Sequence, residues 1–320
     1  MLRKITLAIS LMLAAVGLAM AQSYPNKPVK LVVPFPPGGG TDIVARLIGQ
    51  KLSEAWHQTV IIDNKPGANT LIGTEYVARA PSDGYTLLMA SPSHTINPAL
   101  YKNIRFDTQK DFSGAAIVAM GPLVLAVNPS VPAKNVRELI ELAKNRPGEI
   151  SYASAGTGSS THLAGELFKN LAGINMMHVP YKGTAPAITD LIGGQVLATF
   201  LPLPGMLQQI KNGKLKALAL TGTKRFAGMP GLPTIAESGL SGYEVQQWWG
   251  IVVPSGTPKE IIKKINVDVA KILESPSLRD QLTAIGAEAG NASAEQFDAL
   301  ISQEIVQWKK LIESAKIVAD

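Results

Sequence analysis

The sequence predicts an alternating α/β fold assembled as two units. Apolar runs of strand length alternate with amphipathic stretches of helical period along most of the chain. Its 320 residues are enough for two domains of ordinary size. One design also recurs: a short apolar strand, a turn of small residues, then an amphipathic helix. In the first copy, Val29 to Val33 is the strand and Pro34-Phe35-Pro36-Pro37-Gly38-Gly39-Gly40-Thr41-Asp42 the turn, with a helical pattern from Ile43 to Leu52. In the second, Ile150 to Ala153 leads through Ser154-Ala155-Gly156-Thr157-Gly158-Ser159-Ser160 into a helix from Thr161 to Leu171.

Between the copies, Val60-Ile61-Ile62 reads as a strand and Ile72 to Ala80 as a helix. Thr86 to Ala90 reads as a strand ending at Ser91-Pro92-Ser93-His94, and Pro122 to Val127 is an apolar run closed by Asn128-Pro129. A helix follows from Val136 to Asn145. A third strand–turn–helix unit comes after the second copy. Met177-His178-Val179 is its strand, Pro180-Tyr181-Lys182-Gly183-Thr184 its turn, and its helix reaches Ile192, stopped by Gly193-Gly194. Val196 to Leu201, Lys216 to Thr221 and Trp249 to Val253 read as strands, with Leu203-Pro204-Gly205 closing the first of them. The remainder is helical: Lys259 to Glu274, Pro276 to Ala284 and Ala294 to Ser314. No low-complexity linker separates the units, which implies that the chain crosses between them on strands.

Residues 1–21 read as a secretory signal peptide. Met1 to Lys4 is basic, Ile5 to Leu18 almost wholly apolar, and Ala19-Met20-Ala21 a small-x-small cleavage signature, so the mature chain is expected to begin at Gln22. The apolar run is short for a membrane anchor. The chain has no cysteine, which rules out a lipidated cleavage site, disulfides, thiolate catalysis and cysteine metal ligands. Loss of Arg3 and Lys4 with the leader takes 30 basic residues to 28 against 24 acidic ones, a formal charge of +4. That excess suits an anionic ligand, but no basic run or basic–aromatic interleaving points to nucleic acid.

A strand that enters a helix through Gly, Ser and Thr leaves backbone N–H groups without intrahelical acceptors, and the helix dipole adds partial positive charge there. Such a spot favours a carboxylate or phosphate, and two in one chain suggest a ligand held from two sides. The first turn lacks the Gly-Lys-Ser/Thr of a nucleotide loop and the spacing of a dinucleotide loop, so no cofactor is implied. Gly38, Gly39 and Gly40 are expected to allow close approach and positive φ. Thr41 offers a hydroxyl donor. Asp42 reads as the helix N-cap, since its charge would repel an anion. In the second turn Ser154, Thr157, Gly158 and Ser159 offer backbone and hydroxyl donors together.

Other readings stand beside these. A nucleophilic Ser159 or Ser160 would make a secreted hydrolase, although no nucleophile-elbow motif is present and no base is identifiable. His162 reads as a packed or pocket-edge histidine, His94 as bordering the pocket and His57 as surface. No histidine spacing, His178 included, suggests a metal. Phe35 is expected to wall the ligand's carbon chain. Tyr181 and Lys182 can reach the cleft, and for Lys182 pairing with a second carboxylate and ordinary solvation both stay open. Trp248 and Trp249 read as buried near a crossing between units.

Six segments in order carry a family resemblance. They are Val33 to Arg46, Asn64-Lys65-Pro66-Gly67-Ala68, Pro81 to Leu87, Tyr152 to Ser159, Val179-Pro180-Tyr181-Lys182-Gly183 and Trp249 to Pro254. Together they resemble the Bug-type extracytoplasmic receptors, the solute-binding proteins of tripartite tricarboxylate transporters. The resemblance implies a type II periplasmic-binding-protein fold, with lobe 1 from residues 22–123 and 249–320 and lobe 2 from residues 124–248. It implies a non-enzymatic periplasmic receptor that closes on a dicarboxylate, tricarboxylate, acidic amino acid or aromatic acid. Such a receptor delivers its ligand to integral membrane transporter subunits, or in a sensory variant presents it to a histidine kinase. The expected ligand contacts are Phe35, Gly38, Gly39, Gly40, Thr41, Ser91, His94, Ser154, Ala155, Gly156, Thr157, Gly158, Ser159, Tyr181, Lys182 and Gly183.

Overall fold

Val29–Val33 (β1) is buried on both faces. Leu31 and Val33 lie in one apolar cluster and Val32 in another, as a parallel strand flanked by helices requires. The computed structural model describes residues 24–314 and residue 317. The expected signal peptide lies outside the described residues.

Strand β1 pairs in parallel with Val60–Asn64 (β2) and Thr86–Ala90 (β3). The crossovers are Gly40–Trp56 (α1) and Leu71–Ala78 (α2), and Ser93–Leu100 (α3) follows β3. A second parallel set repeats the plan. Ser151–Ser154 (β5) lies between Met177–Pro180 (β6) and Ala198–Pro202 (β7). Its helices are Ser160–Ala172 (α5) and Thr184–Ile192 (α6), after Val136–Asn145 (α4). Asn135 caps α4, its side chain accepting the Glu138 N–H at 2.9 Å.

The two sets are joined by Phe112–Val127 (β4), a 16-residue strand. Its first part, to Pro122, pairs antiparallel with Gln246–Pro254 (β9), which also pairs with β3. From Leu123 onward β4 pairs instead with β7 and with Lys216–Leu220 (β8). The sheet order is β2-β1-β3-β9-β4-β7-β5-β6, with β8 and Glu288–Ala289 (β10) also on β4. Where β4 changes partners, buried Thr221 accepts the Leu123 N–H at 2.9 Å and donates to the Val245 carbonyl at 2.8 Å. One hydroxyl thus pins the outgoing and returning chains together.

Leu203–Lys211 (α7) follows β7, and Lys259–Leu273 (α8), Pro276–Ile285 (α9) and Ala294–Ser314 (α10) complete the chain. Helix α10 packs along α3. Its half-buried Glu304 accepts from Thr95 at 2.7 Å and from the Trp248 indole at 2.9 Å. Burial pushes that carboxyl above the ordinary glutamate value despite these bonds. Among the described residues no helix is long and apolar enough to cross a membrane.

Several elements depart from the expected pattern. Helix α1 begins at Gly40, not Ile43, and runs to Trp56. Helix α3 has no counterpart in the expected pattern; it contains Pro98, which removes one backbone N–H from the helix. Leu203-Pro204-Gly205 opens α7 instead of closing a strand, with proline tolerated in the first turn. The early part of β4, Phe112-Ser113-Gly114-Ala115-Ala116, alternates too weakly to read as a strand and is held by its neighbours on the sheet.

Candidate functional site

Two adjoining cavities lie at the carboxyl ends of the parallel strands, where open α/β sheets bind ligands. The deep one, about 20 Å³, is lined by Phe35, Gly39, Thr41, Ser91, Ser93, Ala155, Ser159, Ser160, Thr161, Thr184, Pro202 and Gln247. The outer one, about 600 Å³, is lined by Pro34–Pro36, Pro66–Thr70, Tyr101, Ala155–Thr157 and Tyr181–Gly183. Phe35 and Ala155 wall both. The N-terminal residues of α1, α3, α5 and α6 therefore surround one small volume.

The first turn is built from inside. Gly39 is the N-cap of α1, and Asp42, at the third helical position, reaches back to accept the Gly38 N–H at 2.9 Å. Asp42 is not the cap that the sequence suggests, because the helix starts earlier than its apolar period shows. Asn64 and Arg46 also donate to its carboxylate, each at 2.9 Å. Burial alone would raise the Asp42 pKa, but these hydrogen bonds and the Arg46 charge outweigh it and hold the group below the ordinary aspartate value. Asp42 thereby shapes the turn while its charge is satisfied within the protein. Of the three glycines only Gly38 has positive φ, at 81°. Gly39 is needed for proximity, since a Cβ there would run into the Thr184 hydroxyl. Thr41 accepts the buried Trp249 indole N–H at 3.1 Å, which leaves its own O–H to donate elsewhere.

The second turn is held by its own hydroxyls. Ser159 caps α5, accepting from the His162 N–H and donating to the Gly156 carbonyl at 2.7 Å. Thr161 accepts the Ala155 N–H at 2.8 Å. Ser160 donates to the Oε1 of buried Gln247 at 3.0 Å, tying α5 to strand β9. Behind the turn, Ser154 Oγ meets His178 Nε2 at 2.7 Å, and the His178 ring stacks between Tyr152 and His162. The Gly158 N–H donates to His162 Nδ1 at 3.1 Å. The groups met by Ser159 and Ser160 are thus a carbonyl, hydroxyls and amides, none of them a general base.

These loops, on this sheet, recur in known proteins. The family model for tripartite tricarboxylate transporter family receptors matches residues 44–317. The chain belongs to that family. Among solved structures it is similar to Rpa4515 of R. palustris with adipate, at 39% identity and TM-score 0.91 over 93% of this chain and 100% of that one. It is similar to the periplasmic binding protein BugD, at 37% identity and TM-score 0.87, covering 93% and 100%. MatC of Rhodopseudomonas palustris with bound malate is 30% identical with TM-score 0.85, covering 90% and 100%. The fold is the type II periplasmic-binding-protein fold, and the protein is a solute-binding receptor of the tripartite tricarboxylate type.

Eleven of the receptor's sixteen sequence-derived contacts line the two cavities: Phe35, Gly39, Thr41, Ser91, Ala155, Gly156, Thr157, Ser159, Tyr181, Lys182 and Gly183. Gly38, Gly40, Ser154, Gly158 and His94 do not. Ser154 is fully buried behind its turn. The His94 ring packs edge-on against Phe112 at 5.0 Å, on the core side of α3. The sequence did not suggest Ser93, Thr184, Pro202, Gln247, Tyr101 or the 66–70 loop as lining. Thr184 had a visible signal as the helix start after the third turn. Gln247 had none.

The 66–70 loop is the strained part of the candidate site. Ala68, Asn69 and Thr70 all have positive φ, between 45° and 77°, directly after Gly67. Asn97 of α3 holds it, donating to the Asn69 carbonyl at 2.8 Å and to Thr70 Oγ1 at 3.1 Å while accepting from Asn69 Nδ2 at 2.8 Å. Opposite, the Tyr181 hydroxyl donates to Asp190 at 2.7 Å. Burial and the Asp190 carboxylate push its pKa up to about 12, so the phenol is neutral at physiological pH.

Proposed function

We propose that this receptor captures a small organic carboxylate in the periplasm and passes it to the membrane subunits of a tripartite tricarboxylate-type transporter, without catalysing a reaction. The observation that carries this reading is the lining of the deep cavity. Seven hydroxyl-bearing residues and the N-terminal turns of four helices meet there, and no charged side chain does. A carboxylate head accepting several N–H and O–H bonds needs no arginine, because charge-assisted bonds are individually strong. The adipate and malate held by Rpa4515 and MatC support a carboxylate here.

The same reading takes residues 22–123 with 249–320 as one lobe and residues 124–248 as the other. The anion turns after β1 and β3 belong to the first, those after β5 and β6 to the second. A ligand bonded to both favours the closed form and biases a hinge at the β4 and β9 crossings. Calorimetric titration of the Gln22–Asp320 chain against a panel of small carboxylates tests this. Saturable one-site binding, weakened at least about tenfold by Thr41→Val with Ser160→Ala, is expected. Turnover of activated esters abolished by Ser159→Ala would refute it in favour of a hydrolase.

A further inference from the structure

We propose that the ligand carries a single carboxylate, seated in the deep cavity, and an uncharged apolar body lying in the outer one, so that a ring or branched monocarboxylate is preferred over a linear dicarboxylate. This rests on the carboxylate reading above and specifies the rest of the molecule.

The outer cavity is poorly equipped for a second anion. Its walls are Phe35, Pro36, Pro66 and Ala68, faced by the rings of Tyr101 and Tyr181. Three of the side-chain donors in that lining are engaged within the protein. Tyr101 donates to the Thr157 carbonyl at 3.2 Å, Tyr181 to the Asp190 carboxylate at 2.7 Å, and Asn69 Nδ2 to Asn97 Oδ1 at 2.8 Å. The orientation of Asn69 is fixed by Asn97, whose own amide N–H groups go to the Asn69 carbonyl and Thr70 Oγ1. That leaves Asn69 Oδ1 as a buried acceptor with no partner among the described residues, and an acceptor repels a carboxylate. Asp190, behind Tyr181, adds negative charge on the same side. The one charged side chain in the lining is Lys182, which is exposed at a turn, where an ion pair is screened and weak. A carboxylate moved from water into this space would lose hydration and find these three side-chain donors already engaged. An apolar ring would instead meet carbon on most sides.

The test titrates the Gln22–Asp320 chain with benzoate and cyclohexanecarboxylate against succinate and adipate, in wild type and Lys182→Ala. The ring acids are expected to bind roughly tenfold tighter or better than the dicarboxylates. Lys182→Ala should change their affinity less than about threefold. Phe35→Ala should weaken the ring acids about tenfold. Tighter dicarboxylate binding that Lys182→Ala reduces tenfold or more would overturn the proposal by showing Lys182 as a second anion partner. If neither class nor acetate binds, the carboxylate reading itself falls, and this proposal with it.

Discussion

The indole N–H of Trp249 donates to the Thr41 hydroxyl at 3.1 Å, joining the strand that returns to the first half of the sheet to the helix whose N-terminus faces the deep cavity. Trp249 is fully buried, so its indole N–H has no water as a substitute partner. Thr41→Val, nearly the same in volume, leaves the indole N–H unpaired at a cost of about 1–3 kcal/mol. Thr41→Ser restores the acceptor and most of that loss. Urea unfolding midpoints of the two variants check both statements.

Gly39 and Thr184 approach each other from turns that follow β1 and β6. Because a Cβ on Gly39 would occupy the position of the Thr184 hydroxyl, Gly39→Ala is expected to hold the cleft ajar and weaken ligand binding about tenfold. The effect is specific to that pair. In a Thr184→Ala background the same glycine substitution costs less, because the oxygen it strikes has gone. A double-mutant cycle on binding affinity measures the coupling, and strict additivity would show that the two turns do not meet in the bound form.

His94 makes the stability of the fold acid-sensitive. Its ring is buried and neither nitrogen has a hydrogen-bond partner among the described residues; burial lowers its pKa from 6.5 to about 4. Between those values the unfolded chain binds a proton that the folded chain refuses. Stability therefore falls as pH drops from about 6.5 toward 4 and is unaffected by this group at higher pH. The loss reaches at most about 3 kcal/mol. Wild type is expected to lose about 2 kcal/mol more stability than His94→Leu between pH 7 and pH 4.5, measured by denaturant unfolding. Equal losses would show that the imidazole is solvated.

Much of the fold was legible because the parallel units have strong local signals. Strands such as Thr86–Ala90 and helices such as Val136–Asn145 and Ala294–Ser314 occur where periodicity and capping residues place them. The misses have local causes. Leu203-Pro204-Gly205 reads as the end of a strand but opens a helix, whose first turn tolerates the proline. The apolar period of α1 starts later than its hydrogen bonds do, which hid the true role of Asp42. Ser154 and Gly158 belong to the second turn yet do not line the cavities beside it, a distinction that residue type does not make.

The sequence by itself determined the recurring strand–turn–helix units, the absence of cysteine chemistry and the family to which the chain belongs. Each depends on residues close together in the chain. Only the tertiary structure decided which atoms face the cavities. Ser91 and Thr184 meet because the sheet brings the ends of β3 and β6 to one place; Gln247 joins them because β9 passes beneath the gap. The strained 66–70 loop is held in part by Asn97, which supplies hydrogen bonds to it from another element. Which donors remain for a ligand is set by what is left after such long-range pairs have formed, and local sequence carries no record of that remainder.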